Sequence, residues 1–390
     1  MSALRVGAWG VFGRGNFGNE AMLQAFLGRL DPERYAPVII CERPDAAAAL
    51  HGVPARVLGT PVTTTARGRL RRLGAVVGNR LGLLRNAFRV VGELDAVVLV
   101  GSGGLERYGA GSFGTPFDMW SLALAGRMLR RPVLLLDVGI EVLPRRLARA
   151  FARGVARGSR YRAYRDESSR ASAAAMGMHG AAKDAVVTDL ALGLPMPRAA
   201  ARNADLVVVG VMNYSGRDDR GGAAERYRAT LAELVRALRS LGMRVRLVGG
   251  DEVDLHTAAE LAEQLRDSGV AVVDARSPEA LVSTMHDASA VIASRYHTLI
   301  MALLAGTPTL SIGYGEKHRA MLQQLGLPPL HFDIEEFEPD RVAAEAVSLA
   351  ARQGELTPLI EDAVESARSR LDRQWSDVER VMRRRAAARA

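Results

Sequence analysis

The stretch that most limits what this chain can become is Ser289–Lys317, SAVIASRYHTLIMALLAGTPTLSIGYGEK. Ala290–Ala293 is short, apolar and partly β-branched, which predicts a buried strand. Thr298–Leu304 is apolar with small residues and predicts a buried helix. Gly306-Thr307-Pro308 stops that helix, and Thr309–Ile312 reads as the next strand. Strand, helix and strand of this length make a βαβ unit, which commits the chain to a parallel sheet. In open sheets of this kind, ligands bind beyond the carboxyl ends of the strands. The first such loop carries Ser294-Arg295-Tyr296-His297, and the second carries Gly313-Tyr314-Gly315-Glu316-Lys317. A guanidinium, an imidazole and an ammonium therefore converge on one crevice. Those groups suit an anionic ligand and a proton transfer.

Composition singles out the ammonium. Of the 52 Lys plus Arg, only Lys183 and Lys317 are lysines. Arg serves wherever positive charge alone is needed, so a Lys at a strand end reads as a selected group rather than a generic cation. At 390 residues two domains are expected. Cys41 is the single cysteine, which excludes a disulfide framework and a thiolate zinc site and fits a reducing compartment. The first residues enter a strand at once, so no signal peptide is read. The run Tyr296–Gly315 lacks charge but is broken by Gly306 and Pro308, so it is not a membrane span. The net charge of +9 points to anionic partners without choosing among them.

Leu4–Trp9 predicts a first strand, followed by the glycine loop Gly10–Gly18 and a helix over Asn19–Leu30. Gly13–Gly18 fits G-x-G-x-x-G, but the loop leaves the strand too late for the dinucleotide fingerprint. What remains is a loop of free N–H groups at a helix start, suited to an anion or a close-lying substrate. Arg67–Val91 reads as a basic amphipathic helix, with a break near Gly78 or Gly82 as one option. Either it packs on the sheet with a solvated Arg face, or it meets anionic lipid. Asp95–Val100 predicts a strand that ends in Gly101-Ser-Gly103-Gly104. Tyr161–Tyr164 predicts another, delivering Arg165-Asp166-Glu167-Ser168; Asp166 suits a helix cap, whereas Arg165 has no such local use. Val186–Leu190 closes this half.

Residues 194–204 read as a linker, so the domains expected are 1–193, 205–335 and a helical tail over 336–390. The second half restarts at Leu206–Val211 and alternates strands with helices up to the opening unit. Arg217-Asp218-Asp219-Arg220 offers carboxylates for a metal, but its flanking arginines argue against one. The fold expected is α/β: two Rossmann-like halves facing a cleft, with C-terminal helices crossing back over the first.

Two α/β halves with facing glycine loops resemble the GT-B architecture. The motifs GNFGNEAML, GSGGL, YRDESS and SRYHTLIMALLAGTP…GYGEK together resemble the polysaccharide pyruvyl transferase family, over about Leu4 to Lys317. The Arg-x-His segment with Tyr-x-x-Lys is the most specific part. The resemblance implies transfer of the enolpyruvyl unit of phosphoenolpyruvate (PEP) to a sugar as a pyruvate ketal, with PEP as co-substrate and no separate cofactor or metal. It implies that Arg165, Arg295 and Lys317 bind PEP and that His297 is catalytic. Gly15, Asn16, Gly18, Asn19, Glu20, Gly103 and Gly104 would form acceptor-side loops. The family's loop usually reads Gly-Asp-Glu, and here it is Gly18-Asn19-Glu20. An amide cannot take a proton, so no base acts from that position.

PEP carries a carboxylate and a phosphate, natural partners for two arginines and a lysine. A histidine can carry a proton near neutral pH. Two other classes stay open. A nucleotide-sugar glycosyltransferase fits the same architecture, and a non-catalytic sugar-binding member fits Asn19. The partners expected are PEP and a glycan or lipid-linked sugar, with contact to an anionic membrane as the further option and no nucleic acid. The expected place is the cytoplasm, with the inner face of the membrane as the peripheral alternative.

Overall fold

A computed structural model describes residues 3–59, 69–101, 103–106, 111, 113–196, 202–216, 222–267 and 269–383, with the side chains of 69–74 left aside. The Arg217–Arg220 carboxylates, Ser102, much of the linker and the end of the Arg383–Arg385 tail lie outside the described residues. The chain forms two compact units. The first holds Met1–Arg14, Met22–Leu190 and Ser369–Ala390; the second holds Gly15–Ala21 and Ala191–Arg368.

The first unit is built on a seven-stranded sheet of β1 (Leu4–Trp9), β2 (Tyr35–Cys41), β3 (Ala55–Val57), β4 (Ala96–Val100), β5 (Val133–Val138), β6 (Tyr161–Tyr164) and β7 (Ala185–Val186). Its helices are α1 (Phe17–Leu27, from Met22 on), α2 (Pro44–His51), α3 (Arg69–Gly92), α4 (Thr115–Met128), α5 (Arg146–Gly158) and α6 (Glu167–Ala175). The strand order is β3-β2-β1-β4-β5-β6-β7 and every pairing is parallel. Central strands such as AVVLV and VLLLDV are buried along their whole length, as a sheet covered on both faces requires.

The second sheet holds β8 (Asn203–Val211), β9 (Arg244–Gly249), β10 (Val270–Val272), β11 (Ala288–Ala293), β12 (Thr309–Gly313) and β13 (His331–Asp333). Its helices are α7 (Ala223–Ser240), α8 (Glu252–Leu265), α9 (Pro278–His286), α10 (Tyr296–Leu304), α11 (Lys317–Gln324) and α12 (Pro339–Ala351), followed by α13 (Gln353–Arg383). The order β10-β9-β8-β11-β12-β13 repeats the winding of the first sheet. In each sheet the order reverses beside the first strand, between β1 and β4 and between β8 and β11. The loops after those strands are where such sheets open a crevice.

Several elements differ from the sequence reading. Strand β8 starts at Asn203, inside the stretch read as linker. Helix α3 runs unbroken through Gly78 and Gly82, because both glycines lie on its exposed side and the packing of Leu83, Ala87 and Val90 holds the helix. Strand β7 has only two residues, and the chain then turns through a 3-10 helix at Leu190–Gly193. Helix α13 takes up Pro358 near its start. Its residues from Ser369 on belong to the first unit, so the C-terminal helix does cross back. There Trp375 packs edge-on to Phe26, Asp372 pairs with Arg29 at 2.8 Å, and Gln374 donates to the buried Asp137 at 2.7 Å. Burial pushes the Asp137 carboxyl well above the usual range, against the hydrogen bond from Gln374.

Candidate functional site

Arg295 and His297 stand at the reversal point of the second sheet. Arg295 is the N-cap of α10, and His297 lies in the first turn of that helix rather than in the loop before it. Apolar Ile300–Leu304 drives α10 into the core, which pulls the helix start close to the end of β11 and leaves both side chains half-buried.

The sequence reading missed what holds Arg295. Asp254, fully buried, accepts from its Nε and, at 2.8 Å, from its Nη2. Asp251 lies 2.9 Å from the same Nη2. Asp254 also accepts from the backbone N–H of Asn213 at 2.8 Å and of Gly250 at 3.1 Å. One carboxylate thereby ties together the ends of β8, β9 and β11. The sequence signal was Asp-x-x-Asp opening α8 after a strand, which reads as helix capping; Asp251 does cap α8. Burial works against the Arg295 cation, but the Asp254 hydrogen bond and the charges of Asp254 and Asp251 outweigh it and raise its pKa. No hydrogen bond or ion pair among the described residues uses Nη1 of Arg295. The guanidinium is thus locked along one edge and presents the other.

Residues 15–21, the end of the glycine loop and the first turn of α1, belong by their contacts to this second unit, although they precede most of the first. Asn16 bridges Asp251 in antiparallel fashion, and the Phe17 N–H donates to Gly250 O at 3.2 Å. Asn16 Oδ1 accepts from the Asn19 N–H at 3.1 Å and so caps the start of α1. Glu20 is buried. Gly18 lies directly against the imidazole of His297: a Cβ there would overlap the ring. Gly15, at φ +73°, lies against Glu252, and a side chain there would meet both strain and that carboxylate. Gly15, Asn16, Gly18, Asn19 and Glu20 thus belong to the same unit as His297. Gly18→Ala is expected to displace the imidazole and to lower thermal stability, since the new Cβ would overlap the base of the His297 side chain as well as its ring. An unchanged His297 ring resonance in NMR spectra of that variant would contradict the contact.

Tyr296 links the two loops. Its ring packs edge-on to His297 at 5.3 Å, and the Lys317 ammonium lies 5.8 Å from it and 5.2 Å from the Tyr314 ring. Lys317 opens α11 and is half-buried. Behind it, the buried His318 lies 5.9 Å from Tyr296 and 5.5 Å from His331, whose Nδ1 meets Ser311 Oγ at 2.8 Å. The structure therefore brings Arg295, His297 and Lys317 into one region of the second unit.

Arg165, Gly103 and Gly104 lie in the first unit. The sequence reading found no capping use for Arg165, and the structure shows what the side chain does instead. Its Nη2 meets Glu106 at 3.1 Å, its Nε meets Asp166 at 3.2 Å, and its Nη1 lies 3.9 Å from Asp189. The side chain is only 5% exposed. Asp166 caps α6 through the Ser169 N–H at 2.7 Å; burial works to raise its carboxyl, but the Arg165 charge and the hydrogen bonds from Ser168 and Ser169 together hold it below the usual range. Glu106 and Asp189 were not legible as its partners, because they come from distant parts of the chain.

Two parallel sheets of this order, each wrapped by helices and each with loops at its reversal point, define a GT-B-like α/β protein. The chain belongs to the polysaccharide pyruvyl transferase family, whose pattern it matches over residues 16–316. Solved structures share the fold at low identity. A UDP-GlcNAc 2-epimerase of Neisseria meningitidis bound to UDP-GlcNAc gives a TM-score of 0.57 at 11% identity, covering 95% of this chain and 99% of that one. The UDP-N-acetylglucosamine 2-epimerase of Rickettsia bellii gives 0.57 at 12%, covering 98% and 99%. MurG of Acinetobacter baumannii gives 0.53 at 13%, covering 93% and 95%. No curated protein matches the sequence. Among the described residues, no helix is long and apolar enough to cross a membrane.

Proposed function

We propose that the protein transfers the pyruvyl unit of PEP to a sugar of a polysaccharide or glycolipid as a ketal, releasing phosphate. The observation that carries this reading is Arg295. Its guanidinium is fixed by Asp251 and Asp254, its side chain stays 27% exposed, and it stands at the sheet's reversal point, two residues before His297. A preset cation beside an imidazole suits a small dianion that must be protonated during reaction.

In this reading PEP carbon 3 gains a proton, and carbon 2 gains bonds to two sugar oxygens and loses its bond to the phosphate oxygen. Of the two protons released by the sugar hydroxyls, one balances the new methyl group and the other leaves on phosphate. His297 delivers the proton to carbon 3. Arg295 and Lys317 hold the carboxylate and phosphate. Arg165 is enclosed by three carboxylates within its own unit, whereas Arg295, although paired with Asp251 and Asp254, is the more exposed of the two, so donor affinity rests mainly on Arg295 and Lys317. Asn19 acts on the acceptor through hydrogen bonds, not as a base. Proton transfer and charge compensation by these side chains are sufficient for the scheme.

The test is a PEP-dependent phosphate-release assay against free and lipid-linked glycans, with the ketal product identified by mass. Release of nucleoside diphosphate from a nucleotide sugar instead would replace this reading with glycosyl transfer. Saturable PEP binding without turnover on any glycan would make the protein a binding member.

Arg295→Lys probes the donor contact. It keeps the charge but loses the fork that meets Asp254 and an anion together. PEP affinity is expected to fall by about 1.5–3 kcal/mol, the scale of a charge-assisted hydrogen bond. Calorimetry giving the wild-type affinity for a folded variant would remove Arg295 from the donor site.

A further inference from the structure

The basic helix α3 is one part of a larger surface on the first unit. Helix α3 packs beside α4, and α4 beside α5. The Arg80 guanidinium lies 5.7 Å over the Phe117 ring and 3.3 Å from Asp118, which ties α3 to α4. Phe117 packs on Phe151 of α5 at 5.2 Å, and Phe113 lies 5.8 Å from Phe117 and 6.1 Å from Phe151.

Around this aromatic cluster the chain leaves large apolar side chains in water. Leu81 is 62% exposed, Val77 49%, Leu147 43% and Phe113 41%. Val77 and Leu81 lie within a turn of Arg80, and Leu147 lies one turn before Phe151. Exposed arginines stand among them: Arg85 and Arg89 on α3, and Arg145 and Arg146 at the start of α5. The sequence has no Asp or Glu between Asp45 and Glu93, and none between Glu141 and Asp166. The carboxylate placed under this face, Asp118, is paired with Arg80.

We propose that the α3–α4–α5 face of the first unit docks on the surface of an anionic lipid bilayer. A solvated charged face needs no exposed Leu and Phe, and a phosphate backbone gains nothing from them. Apolar side chains that enter the acyl boundary, ringed by cations that meet lipid phosphates, use both features. The surface would hold the protein where lipid-linked sugars are found. It stands on these residues alone, independent of the reaction.

The experiment is sedimentation of the full chain with phosphatidylcholine vesicles, with and without phosphatidylglycerol, at low and high salt. Binding is expected only with phosphatidylglycerol, and it should weaken as salt rises. Leu81→Glu and Leu147→Glu, at exposed positions, should each weaken it by about tenfold, the scale of losing one inserted aliphatic side chain. Arg145→Glu with Arg146→Glu is the companion variant, should either Leu substitution disturb folding. Failure to sediment with anionic vesicles at low salt would overturn the proposal. So would binding that none of these substitutions changes. Binding of duplex DNA without binding of vesicles would make the face a nucleic-acid surface instead.

Discussion

Replacing His297 by Gln is expected to lower turnover by about 10²–10⁴ while PEP affinity stays within a few-fold, the usual range for losing an acid–base group. Gln can fill the space beside Gly18 and Tyr296 and can still donate a hydrogen bond. It cannot carry a proton at neutral pH. Steady-state turnover set beside calorimetric PEP affinity separates the roles. A variant that turns over near the wild-type rate would make His297 a positioning residue. His318 would then be the next candidate, although it is buried and would need a relay to reach substrate.

Removing Asp254 is expected to destabilise the second unit. Asp254→Ala takes from Arg295 the partner of its Nε and Nη2, and takes from Asn213 and Gly250 the acceptor of their N–H groups. Breaking a buried ion pair from one side costs about 3–5 kcal/mol, because the remaining charge stays desolvated. Asp251 stays within reach of Arg295, so a loss at the lower end, about 3 kcal/mol, is expected. Urea unfolding measures it, and a midpoint equal to wild type would show that the clamp carries little. PEP affinity should fall as well, since the guanidinium loses its fixed edge. Asp251→Asn is the milder companion: it removes one neighbouring charge and leaves the Asp254 pair intact.

The α/β class, the parallel winding and nearly every strand were legible in the sequence. Runs such as LVVVGV and AVVLV have no other stable use than a buried strand, and βαβ units follow from their spacing. The positions of Arg295 and His297 after β11 were legible for the same reason, since local chemistry fixes where a strand stops and a helix starts. The short edge strands β3 and β13 were missed, because Ala-Arg-Val and His-Phe-Asp do not form an apolar run, as the equally short Val-Ala-Val of β10 does.

Charge pairing was not legible. Arg165 and Arg295 look alike in sequence, each an arginine one or two residues beyond a strand. Folding encloses the first with Glu106, Asp166 and Asp189 at 5% exposure, and pairs the second with Asp251 and Asp254 while leaving its side chain 27% exposed. Apart from Asp166, the carboxylates that decide this lie far from their arginines in the chain, and only the folded sheet sets their separations. The same holds for Gly18 against His297 and for the exposed Leu81, Phe113 and Leu147 around one aromatic cluster. Local pattern determined which elements form and where their loops emerge. Tertiary packing decided which of the emerging side chains are neutralised inside the protein and which are left to meet something else, because desolvation and ion pairing depend on distances that no local pattern contains.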